Sequence, residues 1–68
     1  LVYASIVEYG QEIHYKPSDD RVVYLHVAQG SLNVNGERLE RGDSILTTNA
    51  IGISTRNEGE FLLFDMPA

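Results

Sequence analysis

Cysteine is absent from this sequence of 68 residues, so neither a disulfide nor a thiolate zinc site can reinforce its fold. The length predicts a single domain over residues 1–68. A domain so small buries only about 60% of the surface that its unfolded chain exposes. We therefore expect reinforcement from outside the domain, either from self-association as a homodimer or from packing against an adjacent domain.

Positive charge is also scarce. Five lysine and arginine residues stand against ten aspartate and glutamate residues, which gives a net charge of −5. Nucleic-acid binding needs clustered positive charge to neutralise phosphates, so we expect no nucleic-acid partner. No apolar run approaches the roughly 20 residues that cross a bilayer, and no signal-peptide pattern is visible. We therefore expect a cytoplasmic protein without a membrane contact.

Apolar residues at helical spacing are lacking too, and a β pattern runs through nearly the whole chain instead. Turn signals recur about every 8 to 12 residues, which is typical of a sandwich or barrel. The predicted fold class is all-β, a small antiparallel barrel or sandwich of about seven or eight short strands. Outside one hairpin, the predicted strands cover residues 1–7, 11–15, 21–28, 44–47, 51–55 and 60–66.

The hairpin over residues 30–43 (GSLNVNGERLERGD) has the clearest local pattern. Leu32 and Val34 alternate with polar residues, which indicates a strand with one apolar face. Asn35-Gly36 favours a two-residue type I′ turn, because both central residues of that turn need positive φ. The segment therefore predicts strand, tight turn and returning strand.

Alternation along the strands also predicts which side chains face inward. The predicted interior comprises Ile6, Val23, Leu25, Val27, Leu32, Val34, Leu39, Ile45, Ile53, Leu62 and Phe64. The opposite strand faces then carry Tyr3, Val22 and Tyr24. We expect these three to form an interface, because aromatic residues are enriched at protein interfaces. The alternative is that both faces of this sheet are buried within one barrel.

Residues with catalytic or metal-binding chemistry are few. His14 and His26 are the two histidines. One interpretation is a metal pair assisted by Glu12, on the same strand face as His14. The other, which we favour, is a pair of surface or barrel-wall histidines on neighbouring strands, with His26 pointing outward. No serine stands in a nucleophile elbow, and Asp19-Asp20 falls in a turn, where solvated charge is the ordinary explanation.

The order of turns and strands resembles the cupin superfamily. The run VYASIVEYGQEIHYKPSDDRVVYLHVAQGSLNVNGERLERGD, followed by LLFDMP, is similar to the second, C-terminal half of pirin-like bicupins from end to end. The first cupin motif runs glycine, five residues, His-x-His, three or four residues, glutamate, six residues, glycine, and Gly10 and Gly30 fit its ends. The second runs glycine, five residues, Pro-x-Gly, two residues, His, three residues, asparagine, and Gly42 and Asn57 fit its ends.

The metal-ligand positions of these motifs depart from the family pattern. They hold Lys16, Ser18, Val23 and Ile53. A metal needs lone pairs from imidazole or carboxylate, which valine and isoleucine cannot supply. We therefore expect a metal-free domain without a cofactor, whose interior is filled with side chains.

The resemblance implies a cupin-type jelly-roll barrel, and we expect a non-enzymatic module that self-associates or packs on a partner. Two alternatives stay open. Pirin-like proteins include quercetin 2,3-dioxygenase-type activities, in which a metal in the first half performs the oxygen chemistry. The chain would then be a remnant or fragment of such an enzyme. The other alternative is a small-ligand binder that uses the barrel mouth, where Lys16 would meet an anionic group.

Overall fold

The computed structural model describes residues 2–67, and within them it contains seven β-strands and no helix. The strands are β1 (Val2–Glu8), β2 (Glu12–Tyr15), β3 (Arg21–Val34), β4 (Glu37–Glu40), β5 (Ser44–Thr47), β6 (Ile51–Ser54) and β7 (Glu58–Pro67). This architecture confirms the predicted all-β fold and its number of strands. Over the same residues, nothing in the chain has the helical length and apolarity needed to cross a membrane.

Strand β3 organises the fold because it belongs to two sheets. Its first part lies between β7 and β5, with β1 beyond β7; we name this four-stranded group sheet I. Its last part lies between β4 and β6, with β2 beyond β6; we name this group sheet II. All of these pairings are antiparallel. The predicted strand over residues 21–28 and the first strand of the predicted hairpin are one strand in the structure, since β3 continues through residues 29–30 with a register shift between Val27 and Gln29.

The passage of β3 from one sheet to the other depends on a close approach of two glycines. Gly30 is paired with Gly59 of β7. A Cβ atom at Gly30 would overlap the carbonyl oxygen of Glu58, and the φ of Gly30 is +67°. A Cβ atom at Gly59 would overlap the Leu32 side chain. Any other residue at either position would force the two strands apart.

The predicted hairpin turn is confirmed. Val34 and Glu37 are paired, which leaves Asn35 and Gly36 as a two-residue loop, and their φ values are 51° and 84°. The Asn35 side chain also ties this turn to the start of β6. Its Nδ2 donates to the carbonyl oxygen of Ala50 at 3.1 Å, and its Oδ1 accepts from the Gly52 amide at 2.8 Å.

The core lies between the two sheets. Eleven hydrophobic residues are at most 6% exposed: Val7, Val23, Leu25, Val27, Leu32, Val34, Leu39, Ile51, Ile53, Phe61 and Leu63. Seven of the predicted interior residues are among them, and Ile45 packs against the cluster while half-buried. The prediction for sheet II and for β3 is therefore confirmed.

The predicted interior is wrong in β1 and β7. Ile6 is 54% exposed, whereas its neighbour Val7 is fully buried. In β7, Leu62 and Phe64 are half-buried on the outer side, and Phe61 and Leu63 face the core instead. Both faces of these strands carry apolar side chains, so alternation could not decide which one points inward.

Candidate functional site

The positions that hold metal ligands in cupins do not form a metal site in this chain. Val23 and Ile53 are fully buried members of the core. Lys16 and Ser18 are exposed in the connection between β2 and β3. Hydrocarbon side chains supply no lone pairs, so this donor set does not fit a metal ion. Among residues 2–67 there is no group of three or more His, Asp or Glu side chains disposed to hold one.

The two histidines lie in different sheets. His14 belongs to β2 of sheet II, and its Nε2 lies 2.7 Å from Glu12 Oε1 on the same exposed strand face. His26 belongs to the part of β3 in sheet I, between Leu62 and Ser44. The pairing of His14 with Glu12 confirms that they share a face, but the fold does not make the two histidine strands neighbours, because β6 lies between β2 and β3.

Lys16 lies beside a shallow depression of about 350 Å³. The depression is lined by His14, Tyr15, Lys16, Asn35, Ala50, Ile51 and Gly52. It sits at the end of β2 and beside the hairpin turn, so Lys16 does stand at an opening in the surface. A ligand contact at this lysine stays a prediction.

A buried polar cluster joins three strands at one end of the barrel. Asp65 of β7 is only 6% exposed. Its Oδ2 accepts a hydrogen bond from the Tyr15 hydroxyl, and its Oδ1 accepts one from Arg21 Nε at 2.7 Å. Arg21 Nη2 also donates to the Asp65 carbonyl oxygen at 3.0 Å. The carboxylate is thus held by partners from β2 and β3, as a buried charge requires.

These contacts move the titration of the cluster away from neutral pH. The hydrogen bonds from Tyr15 and then Arg21 hold the pKa of Asp65 below its ordinary value. The hydrogen bond to Asp65 raises the pKa of Tyr15 to about 12, and the same carboxylate raises the pKa of Arg21. A general acid or base works best with a pKa near the operating pH. The hydrogen bonds of the cluster link β2, β3 and β7, and we name the cluster the buried clamp.

Sequence reasoning missed this cluster for a specific reason. Assigning Leu62 and Phe64 to the interior turned Asp65 toward solvent. With the observed parity, Asp65 follows Phe61 and Leu63 on the inner face, where a carboxylate must find a partner. The inward position of Asp65 follows only from the observed parity of β7, so the sequence alone carried no signal for the cluster.

The outer faces of the two sheets differ sharply in chemistry. On sheet II, the outward residues are mostly polar or charged: Glu12, His14, Ser31, Asn33, Arg38, Glu40 and Ser54. On sheet I, the outward residues are mostly apolar, and we name this set the apolar face. It comprises Val2, Ala4, Ile6, Val22, Tyr24, Leu46, Leu62, Phe64 and Met66.

The apolar face is continuous across sheet I. One row of paired residues runs Val2, Phe64, Tyr24 and Leu46 from edge to edge. Val2 is 63% exposed and Leu46 is 65% exposed at the two ends of this row, while Tyr24 and Phe64 form a tilted ring pair with centroids 5.8 Å apart at its centre. Exposed apolar residues that occur singly are ordinary, but a contiguous set marks an interaction surface.

Two of the three predicted interface residues belong to this face. Val22 and Tyr24 are half-buried and point outward from β3. Tyr3 does not join them, because it shares the inward parity of Val7 and is paired with Leu63. Its ring instead contacts that of Tyr15 edge to face, with centroids 5.8 Å apart. The inward face of β1 was predicted wrongly, and Tyr3 is therefore not part of the outer surface that holds Val22 and Tyr24.

A comparison of the sequence with models of protein families agrees with the observed fold. The model of the quercetinase C-terminal cupin domain matches residues 1–66. The chain belongs to this family. The match confirms the resemblance to the C-terminal half of pirin-like proteins. No curated protein matches the sequence.

This pirin-like cupin domain keeps the scaffold of its superfamily. Gly10, Gly30 and Gly42 all have positive φ, as turning or closely approached backbone requires. The core of the domain contains hydrocarbon at Val23 and Ile53, where the cupin motifs carry ligands.

Proposed function

We propose that this domain is a non-enzymatic cupin module whose function is to dock through the apolar face, with a second copy of the same chain as its partner. The observation that carries the proposal is the contrast between the two sheets. Both sheets bury one face in the same core, but only sheet I presents apolar side chains on the other. A monomer would leave Ile6 and Leu46 more than half exposed to water.

The charge distribution favours a second copy as the occupant. The chain carries a net charge of −5, so two copies repel each other at most surfaces. The row from Val2 to Leu46 and the neighbouring Val22–Met66 pair contain no ionisable carboxylate. Glu60, which is paired with Ile6, also lies on this outer face, so we expect the contact between two copies to centre on the row from Val2 to Leu46, where apolar area is buried without a carboxylate.

The size of the face sets the expected strength of association. The two longest dimensions of the domain are 33 and 19 Å, so a single face covers about 600 Å² at most. Stable interfaces bury about 800 Å² on each partner, and weak ones lie below about 1,200 Å² in total. We therefore expect an interface of the weak class and a dimer that dissociates on dilution.

Two observations support a role without catalysis. The interior positions Val23 and Ile53 offer a metal no donor atoms. The buried ionisable cluster holds Asp65 ionised and Tyr15 neutral across the physiological range, because their pKa values are moved away from it in opposite directions. Neither group is suited to transfer a proton near pH 7.

Analytical ultracentrifugation tests the docking proposal. We expect the wild-type domain to sediment as a concentration-dependent dimer and Leu46→Glu to sediment as a monomer, because a buried carboxylate at the face is costly. Tyr9→Glu is the matched control, since Tyr9 is 75% exposed in the turn after β1 and outside the face. A wild-type monomer at every concentration, or equal loss of association in both variants, would contradict the proposal.

A separate assay tests the absence of catalysis. The purified domain is supplied with iron, manganese, copper or nickel, and oxygen uptake is followed with a flavonol present. We expect no turnover above the free metal and no stoichiometric metal after dialysis. Oxygen-dependent turnover with bound metal would overturn the non-enzymatic role and leave the docking proposal to its own test.

A further inference from the structure

A polar depression lies outside sheet II, on the side of the barrel away from the apolar face. It encloses about 350 Å³ between β4, the adjoining part of β3 and the β6–β7 connection. We name it the arginine groove. Its lining consists of Ser31, Leu32, Asn33, Arg38, Arg56 and Asn57. Two arginines, two asparagines and a serine are thus among the lining residues, and no acidic residue lines the groove.

Positive charge is concentrated at this place on an acidic protein. Arg38 and Arg56 line the groove, and Arg41 lines the depression that adjoins it. These are three of the five positively charged side chains of the chain. Glu40 and Glu58 line the adjoining depression and not the groove itself.

The charge in the groove is weakly compensated within the domain. Arg38 Nη2 lies 3.4 Å from Glu40 Oε1, and both side chains are 68% exposed, so this ion pair contributes little and is easily exchanged. Across residues 2–67, Arg56 has neither a hydrogen bond nor an ion pair. Its guanidinium therefore retains its full set of donors for a ligand.

Hydrogen bonds hold the two sides of the groove in fixed relation. The Oγ1 of Thr55 donates to the Ser31 carbonyl oxygen at 2.8 Å, and the backbone N–H of Asn57 donates to the same Oγ1 at 3.3 Å. Thr55 is itself only 6% exposed. The loop that carries Arg56 is thus fastened to β3, while Arg38 is paired with Asn33 on the neighbouring strand.

We propose that the arginine groove binds an oxyanion, that is, a phosphate or carboxylate group of a small molecule. Arginine presents planar donors that match both groups with two parallel hydrogen bonds, and the amides of Asn33 and Asn57 add neutral donors. The site is independent of the proposed docking, because the groove and the apolar face lie on different sheets. A dimer would leave both grooves open.

NMR titration of the isotope-labelled domain with inorganic phosphate, and separately with citrate, tests this site at constant ionic strength. We expect saturable shifts at Asn33, Arg56 and Asn57. Arg56→Gln and Arg38→Gln should each weaken binding about tenfold or more, as loss of a charge-assisted hydrogen-bond pair implies. Both side chains are exposed, so the fold should persist, and the amide spectrum of each variant checks it.

Lys16→Gln is the matched control, because it removes the same charge at a different depression. The proposal requires that it leave the saturation of the shifts at Asn33, Arg56 and Asn57 unchanged, whatever anion binding occurs beside Lys16 itself. Binding by phosphate alone would identify a phosphoryl ligand, and binding by citrate alone a carboxylate ligand; both support the site. Shifts that never saturate, or equal weakening by Lys16→Gln, would overturn it, because anions would then respond only to net charge.

Discussion

Replacing Asn35 separates two contributions of one residue to the stability of the domain. Its φ of 51° fits the type I′ turn, and its side chain makes two hydrogen bonds to the start of β6. Asn35→Gly keeps the backbone conformation accessible and removes both bonds. At about 0.5–1.5 kcal/mol each, their loss should lower the free energy of unfolding by about 2 kcal/mol. For a domain of this size, Tm should fall by about 8–16 °C.

Asn35→Ala should be the less stable variant. It loses the same two hydrogen bonds and must also adopt the left-handed conformation, which costs a residue with a Cβ atom about 1–2 kcal/mol. Thermal and urea unfolding followed by circular dichroism would measure both variants. If Asn35→Gly were as stable as the wild type, the bonds to Ala50 and Gly52 would contribute nothing. An Asn35→Ala variant with wild-type stability would refute the turn assignment as well.

Three further predictions concern the strand crossing and the buried clamp. Gly30→Ala should cost about 3 kcal/mol or more in urea unfolding, because its Cβ would overlap the Glu58 carbonyl, whereas Gly10→Ala has free space and should cost less. Wild-type stability should fall as the pH drops below about 4 toward the depressed pKa of Asp65, and the difference between wild type and Asp65→Asn should shrink there. Stability from Tyr15 should be lost between pH 10 and about 12, so the wild type and Tyr15→Phe should converge over that range in alkaline unfolding. If the stability of a variant ran parallel to that of the wild type across the stated pH range, the prediction for Asp65 or for Tyr15, respectively, would be contradicted.

Local patterns in the sequence predicted much of the fold. The Asn35-Gly36 turn has one favoured geometry, and the alternation of Leu32 and Val34 with polar residues left one possible inward face. Family resemblance then placed Val23 and Ile53 at the ligand positions, and both are in the core.

The remaining features depend on contacts that are distant in sequence. In β7, Leu62 and Phe64 are as apolar as Phe61 and Leu63, so pattern alone could not assign the inward face. The choice is made by packing against β3 and by the partners that Asp65 finds there.

The grouping of positive charge in the arginine groove also depends on contacts between residues distant in sequence. Arg38 and Arg56 are 18 positions apart in the sequence, but the pairing of β3 with β4 and the attachment of the β6–β7 connection to β3 through Thr55 bring them to one groove. Spacing in the sequence carries no signal of that convergence.

The apolar face is the central element of the proposed function, and its occupancy can be observed directly. Methyl NMR spectra of the wild-type domain would be recorded on dilution from millimolar to low micromolar concentration. We predict concentration-dependent shifts at the methyl groups of Val2, Ile6, Leu46 and Met66, and constant shifts in the core and on sheet II. Methyl spectra of the face that do not change with concentration, or changes confined to sheet II, would contradict docking through the apolar face.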